Sequence, residues 1–335
     1  MGSDYSIEAD AVLRMKALNS KLRSGAALML ALWALFLLSA MVISWALDIN
    51  SRLVVSGNAS RVLDAEAMAS SGADIALHPL VKPGSPNLQR QIGQGEGYEV
   101  QMRGECGRLN LKFLTLQEDP AKLAVLRRYL TLKGVQLNDL DKMIDSLLDW
   151  VSPGKGIHHL NACPETDDYQ PPHAPLTSVD DLKKVCGWAE FTSKPGWDED
   201  FTVCDQCNQG IDLAWASRDV LRALGIGDDY VDRFLQLRAG QDGVDGTADD
   251  LQFGTAPNGS VPGALTGGSV PLEVQTALGL NQQQFQQLQS LVTFNSPVFR
   301  VVSAGKSGDV TRSVQMIVSK GVVDGRPQVI SWKEL

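Results

Sequence analysis

The stretch KLRSGAALMLALWALFLLSAMVISWAL, residues 21–47, sets the reading of the whole chain. Residues 26–47 hold twenty apolar side chains, Ser39, Ser44 and no charge. As an α-helix they extend about 33 Å, enough to cross a hydrocarbon core of about 30 Å once. Arg14, Lys16, Lys21 and Arg23 precede the run and Asp48 follows it. That asymmetry predicts a cytoplasmic N-terminus, with residues 48–335 on the far side of the membrane. The run exceeds the apolar core of a cleaved signal peptide, about 7–15 residues, and Ser44-Trp45-Ala46 is a poor small-x-small cleavage site. An unprocessed signal anchor is the plain reading of such a run.

Working outward, the whole-chain average of 44% hydrophobic residues and a net charge of −9 blends unlike parts. Residues 48–335 carry 26 basic and 36 acidic side chains, a net of −10. A surface of that sign repels nucleic acid and anionic lipid. With only 31 Gly and 15 Pro and a normal apolar fraction, the exported part is neither collagen-like nor disordered.

Past Asp48 an apolar stripe through Leu53, Val54, Val62, Leu63, Ala67, Met68, Ala73, Ile75 and Ala76 meets no proline before Pro79. It predicts one helix from about 26 to 77, roughly 75 Å long. Tyr98, Val100 and Met102, then Leu109, Leu111 and Phe113, alternate with polar residues on either side of Gly104 and read as a hairpin. Short capped helices follow. Asp119-Pro120 opens one that stops at Gly134, Asn138 opens a second, and Ser178 with Asp181 forms a capping box. Ser217 and Asp228 open two helices joined by Leu224-Gly225-Ile226-Gly227, and a Gly/Pro-rich loop at 254–271 precedes a Gln-rich helix with Phe285, Leu288 and Leu291. Strand character returns at Val298–Val302, Val310–Val318 and Val329–Trp332.

The basic stretch, the glycine and the unbroken apolar helix resemble the type IV pilin signal, in which a prepilin peptidase cuts after the glycine. Here the processing residues are Gly25 and Ala26. Most pilins carry glutamate at the fifth mature position; this chain has Leu30. That feature joins Gly107-Arg108-Leu109-Asn110-Leu111, Leu147-Leu148-Asp149-Trp150, Glu165-Thr166-Asp167-Asp168-Tyr169, Leu176 to Leu182, Phe299-Arg300-Val301 and Ile330 to Glu334. In this order and spacing the chain resembles the minor pseudopilin K family of type II secretion systems.

The resemblance implies an α+β fold: a pilin-like long N-terminal helix packed on an antiparallel β-sheet, interrupted by a large, mainly α-helical insertion domain. The expected parts are a cytoplasmic leader (1–25), a transmembrane helix (26–47), a first pilin-like part (48–117), the insertion (118–292) and C-terminal strands (293–335). The implied role is at the tip of the pseudopilus, helping initiate its assembly for export of folded periplasmic proteins. The implied partners are I- and J-type minor pseudopilins, the pseudopilus, the inner-membrane secretion platform and the prepilin peptidase, with methylation accompanying processing. The inner membrane would hold the single span, with the C-terminal domain periplasmic. In the family picture the pilin glutamate meets the N-terminal amine of the subunit above, and a capping subunit has no such amine to meet. A type IV pilus minor component is the alternative of the same fold; a membrane-anchored, metal-dependent periplasmic enzyme is the alternative of another class.

Candidate chemistry lies in two clusters. Cys163, Cys186, Cys204 and Cys207 fall within the insertion, where two disulfides in any of three pairings would leave Cys106 alone. The rival is zinc, since Cys204-x2-Cys207 has ligand spacing and Cys163, Cys186, His158 and His159 supply further donors. Asp242, Asp245, Asp249 and Asp250 put four carboxylates in one glycine-rich loop, a hard-oxygen set that suits calcium although it lacks EF-hand spacing. The helix-hairpin-helix pattern around Gly225 leads into Asp228-Asp229, which repels phosphate, so packing rather than DNA binding is expected. Gly305-Lys306-Ser307 lacks the first glycine of a P-loop, Arg300 standing in its place. His78 and His173 are expected at the surface without partners. No nucleophile-and-base motif is present, so no catalytic residue is assigned and the chain is not expected to be an enzyme.

Overall fold

The computed structural model describes residues 5–320 and 326–335, apart from 94, 155–157, 248, 251–269 and 271. The chain divides into two compact units, residues 1–63 and 64–335. Helix α1 spans Tyr5–Leu77, so helix begins well before the expected start at 26. Residues 5–25 contain no proline, and their only glycine is Gly25, so nothing local stops the helix there. In the first unit the large apolar side chains from Leu28 to Val55 are uncovered, Leu30 being 71% exposed. An Asp48–Arg52 ion pair at 3.0 Å marks the end of the charge-free run.

The second unit carries a five-stranded sheet. Strands β1 (Gln89–Gln91), β2 (Glu96–Gly104), β7 (Val298–Ser307), β8 (Val310–Ser319) and β9 (Gln328–Glu334) lie in that order, each antiparallel to its neighbours. Because β2 pairs directly with β7, the chain between them leaves the sheet and returns to the same place. Register puts Met102 opposite Val301, Val301 opposite Met316, and Met316 opposite Trp332, so these four share one face. The first three pack with Tyr98, Val100 and Val318 against Ala73 and Ala76 of α1.

Small residues allow that close approach. Ala65, Ala69, Ala73 and Ala76 are fully buried at helical spacing, and Gly72 and Gly305 face the seam. A Cβ on Gly305 would overlap the Ala65 carbonyl and the Ala69 amide.

The expected hairpin across Gly104 is not formed. Asn110 accepts a hydrogen bond from the Lys112 amide and caps helix α2 (Leu111–Thr115). Only Leu109–Asn110 remains extended, as β3, parallel to β4 (Phe201–Thr202). The side-chain cap therefore outcompetes alternation, and Leu111 and Phe113 enter the insertion's core instead.

The helical block follows its local signals closely. Helix α3 (Pro120–Leu132) is capped by Asp119 and ends before Gly134 at φ +83°. Helix α4 spans Leu137–Val151, and Ser178 with Asp181 caps a 3-10 turn at Val179–Lys184. Helix α5 (Ala189–Thr192) and strand β5 (Ile211–Asp212) come next, β5 running parallel to β6 (Val292–Thr293). Helix α6 (Arg218–Ala223) takes Ser217 as its cap, whereas α7 (Asp228–Arg238) begins from Gly227, with Asp228 inside its first turn. Helices α8 (Leu272–Ala277) and α9 (Gln282–Leu288) complete the block. Its core, with Leu126, Leu130, Leu147, Trp188, Phe201 and Phe234 at its centre, is distinct from the helix-and-sheet core.

Replacing Gly305 by Ala forces α1 and β7 apart. We expect a loss of about 1–3 kcal/mol, the usual cost of overpacking, read as a lower urea midpoint. An unchanged midpoint contradicts the seam.

Candidate functional site

The side chains with the most chemistry sit where the insertion leaves and rejoins the sheet. Glu105 follows β2 directly and has no solvent exposure. Arg300 on β7 grips it bidentately, Nε to Oε2 at 2.6 Å and Nη2 to Oε1 at 2.7 Å. The Thr202 hydroxyl, on β4, donates to Oε1 at 2.5 Å. Arg108 Nε stands 3.7 Å from Oε2, and burial together with the like charge of Arg300 holds the Arg108 guanidinium below its usual pKa. One carboxylate thus ties the sheet to the insertion.

At the return, Asp212 is fully buried and accepts from the amides of Ala214, Asn295 and Ser296 at 3.0, 3.2 and 2.6 Å. Burial pushes this carboxyl up to about 6 despite those three donors. Between the two carboxylates, the Ser296 hydroxyl donates to Cys106 Sγ at 3.0 Å. Trp215 fits over Gly104 and Gly107, where any Cβ would overlap it, and stacks edge-on against Phe299 at 6.3 Å. That gives Gly107 a physical role in the motif it heads.

The cysteines pair as Cys106–Cys207 and Cys163–Cys186, leaving Cys204 free and buried. This corrects the expectation that Cys163, Cys186, Cys204 and Cys207 pair among themselves and leave Cys106 alone. The 3-10 turn at Glu105–Gly107 folds Cys106 against the insertion, next to Cys204, Cys207 and Val298. The Cys106–Cys207 bridge closes a loop of 101 residues, a constraint of about 4–5 kcal/mol in the chain-entropy view. With three of the four expected thiolates used in bridges, the zinc set is dismantled.

Among the described residues no three His, Cys, Asp or Glu side chains are gathered to hold a metal ion. In the acidic loop Asp245 is taken by the buried Arg238, whose Nε and Nη2 reach its two oxygens at 2.9 and 2.6 Å. Asp242 accepts the Val244 amide, Asp249 the Gln241 and Asp242 amides, and Asp250 the Gly246 amide. The Thr247 hydroxyl reaches both Asp249 and Asp250. The four carboxylates therefore brace their own loop and a neighbouring arginine in this arrangement, and no metal-dependent step is built on them.

His158 and His159, candidate zinc donors by sequence, instead meet carboxylates. Asp149, near the end of α4, holds His159 Nδ1 at 2.5 Å and His158 Nδ1 at 2.7 Å, while His159 Nε2 faces Glu118 at 3.2 Å. Burial opposes charge on His159, but the hydrogen bonds to Asp149 and Glu118 outweigh it and raise its pKa. His173, expected at the surface, packs its ring between the Asp149 carbonyl and Glu165 at 3.1 and 3.0 Å. The outer nitrogen of His159 meets a carboxylate rather than a hydroxyl or thiol. The cluster therefore straps a loop to α4 and presents no activated nucleophile.

The remaining motifs are structural. Asp228 in the first turn of α7 pairs with Arg222 at 2.6 Å, closing the helix hairpin on itself, and Gly305-Lys306-Ser307 lies within β7. The backbone at Gly25 and Ala26 is inside α1; their side-chain surroundings lie outside the described residues.

No protein-family model matches the sequence, and no curated protein matches it. Among solved structures, the chain superimposes on one from the GspK–GspI–GspJ complex of the enterotoxigenic Escherichia coli type 2 secretion system. The match covers 86% of this chain and 99% of that chain, with a TM-score of 0.55 and 13% sequence identity. The fold is that of a K-type minor pseudopilin. Its parts here are the long helix α1, the antiparallel sheet and the helical block between β2 and β7. In this K-type fold the junction around Glu105 is what holds block and sheet together.

Glu105→Gln leaves the half-buried Arg300 and Arg108 without their counter-charge. We expect a loss of about 3–5 kcal/mol, measured by chemical unfolding; a loss under about 1 kcal/mol contradicts the central role of this carboxylate.

Proposed function

We propose that this chain is a minor pseudopilin that caps a type II secretion pseudopilus together with I- and J-type pseudopilins and helps initiate its assembly. The observation that carries the reading is the extent of the likeness: 99% of a chain from the GspK–GspI–GspJ complex and 86% of this chain are matched. Two features of this chain support it. Ala27–Leu77 contains a segment long and apolar enough to cross a membrane, and its apolar side chains from Leu28 to Val55 are uncovered. A spanning helix in this state gains stability by packing against other helices in the bilayer. Leu30 also suits a terminal subunit, because a carboxylate without a partner amine is costly in hydrocarbon.

On this reading a prepilin peptidase cuts after Gly25, the helix remains in the inner membrane, and residues 48–335 occupy the periplasm. The junction chemistry described above builds a rigid body for docking and turns over no substrate. Co-expression of the full chain with I- and J-type pseudopilins from the same genome tests the proposal. A stable three-chain complex on size exclusion with multi-angle scattering is expected. A folded chain that elutes apart from an I–J pair contradicts it.

A further inference from the structure

We propose that Cys204 is the resident exchange partner of the Cys106–Cys207 bridge, able to take Cys207 from Cys106 and so move the cross-link from the junction into the insertion. Three cysteines and Val298 form one buried cluster, while only two of the sulfurs are joined. Cys204 caps the 3-10 turn Asp205–Cys207, and the Cys207 amide donates to the Cys204 carbonyl at 3.2 Å. Cys204 is the extended residue before that turn and Cys207 its last residue, and the two side chains pack in the same buried cluster.

The leaving sulfur is also prepared. The Ser296 hydroxyl donates to Cys106 Sγ at 3.0 Å, a contact that stabilises negative charge released there. In the exchange, Cys204 gives its proton to water and the thiolate attacks Cys207 Sγ. The Cys106–Cys207 bond breaks, its electron pair leaves on Cys106 Sγ, and that sulfur takes up a proton. One disulfide and one thiol stand on each side, so no oxidant or reductant is consumed.

In the closed fold the reaction is held off. Burial pushes the Cys204 thiol up, and Sγ is engaged with Gln206 Oε1 at 3.3 Å. Thiolate, the attacking form, is therefore scarce until the junction loosens. Loosening also changes which bridge is favoured. Cys106–Cys207 spans 101 residues, and once Glu105 and Asp212 no longer hold the junction, loop-closure entropy favours the short Cys204–Cys207 loop. The bridge then reports whether insertion and sheet are docked.

The test uses the full chain in detergent. In Cys106→Ser, exposed to oxidised glutathione and then unfolded in N-ethylmaleimide, peptide mass mapping should find a Cys204–Cys207 bridge and no alkylated cysteine. Alkylation or glutathionylation of both Cys204 and Cys207 overturns the proposal. Should the variant fail to fold, the unmodified chain gives the answer: held in urea at mildly alkaline pH without reductant and then trapped, its maleimide label should shift from Cys204 to Cys106. Label that stays on Cys204, or moves instead to Cys163 or Cys186, overturns it as well.

Discussion

The structure of residues 64–335 depends on one buried carboxylate. Glu105 sits at the point where the chain leaves the sheet, and it holds Arg300 of β7 and Thr202 of the insertion at the same time. Removing such a group from water costs several kcal/mol, recovered only through good geometry and fully used oxygens. Here both oxygens are engaged and the arginine is bidentate. The surrounding contacts reinforce the same junction. Asp212 gathers the returning amides, the Cys106–Cys207 bridge joins exit to insertion, and Trp215 covers Gly104 and Gly107. A long excursion from a sheet is entropically expensive to close. Concentrating ion pair, amide cradle and disulfide at its two ends makes block and sheet one compact unit.

What the sequence discloses and what it hides divide along range. Caps are local, so Asp119, Ser178 with Asp181, and Ser217 all do what their positions predict. Strands β7 and β8 are legible from alternation because one face meets α1. The junction is not, because its partners lie far apart: Glu105 and Arg300 are separated by 195 residues, and Cys106 and Cys207 by 101. A signal was nevertheless present in Gly104-Glu105-Cys106-Gly107, an acid and a cysteine held between two glycines at the end of an amphipathic strand. The glycines make room for Trp215. The false hairpin has the opposite cause, since Asn110 offered the backbone a cap that alternation could not reveal. His173 escaped notice because its partners are a backbone carbonyl, which leaves no trace in sequence, and Glu165, eight residues away.

The two units contrast in what they leave exposed. In the second unit the buried carboxylates meet arginines, amides or histidines, the Ser303 hydroxyl is left without a partner among the described residues, and the imidazole best placed for acid–base work faces Glu118. The first leaves its apolar helix uncovered from Leu28 to Val55. Leu30 lies within that uncovered run and adds no charge to it. The proposed pseudopilin role requires of helix α1 a new N-terminus directly before the apolar run.

The N-terminal residue of the protein recovered from membranes of the native bacterium tests that requirement most directly. Sequencing or intact mass should give a chain beginning at Ala26, with the basic leader removed and the apolar helix retained. A chain beginning at Met1 or at Leu47 would contradict a pilin-type assembly.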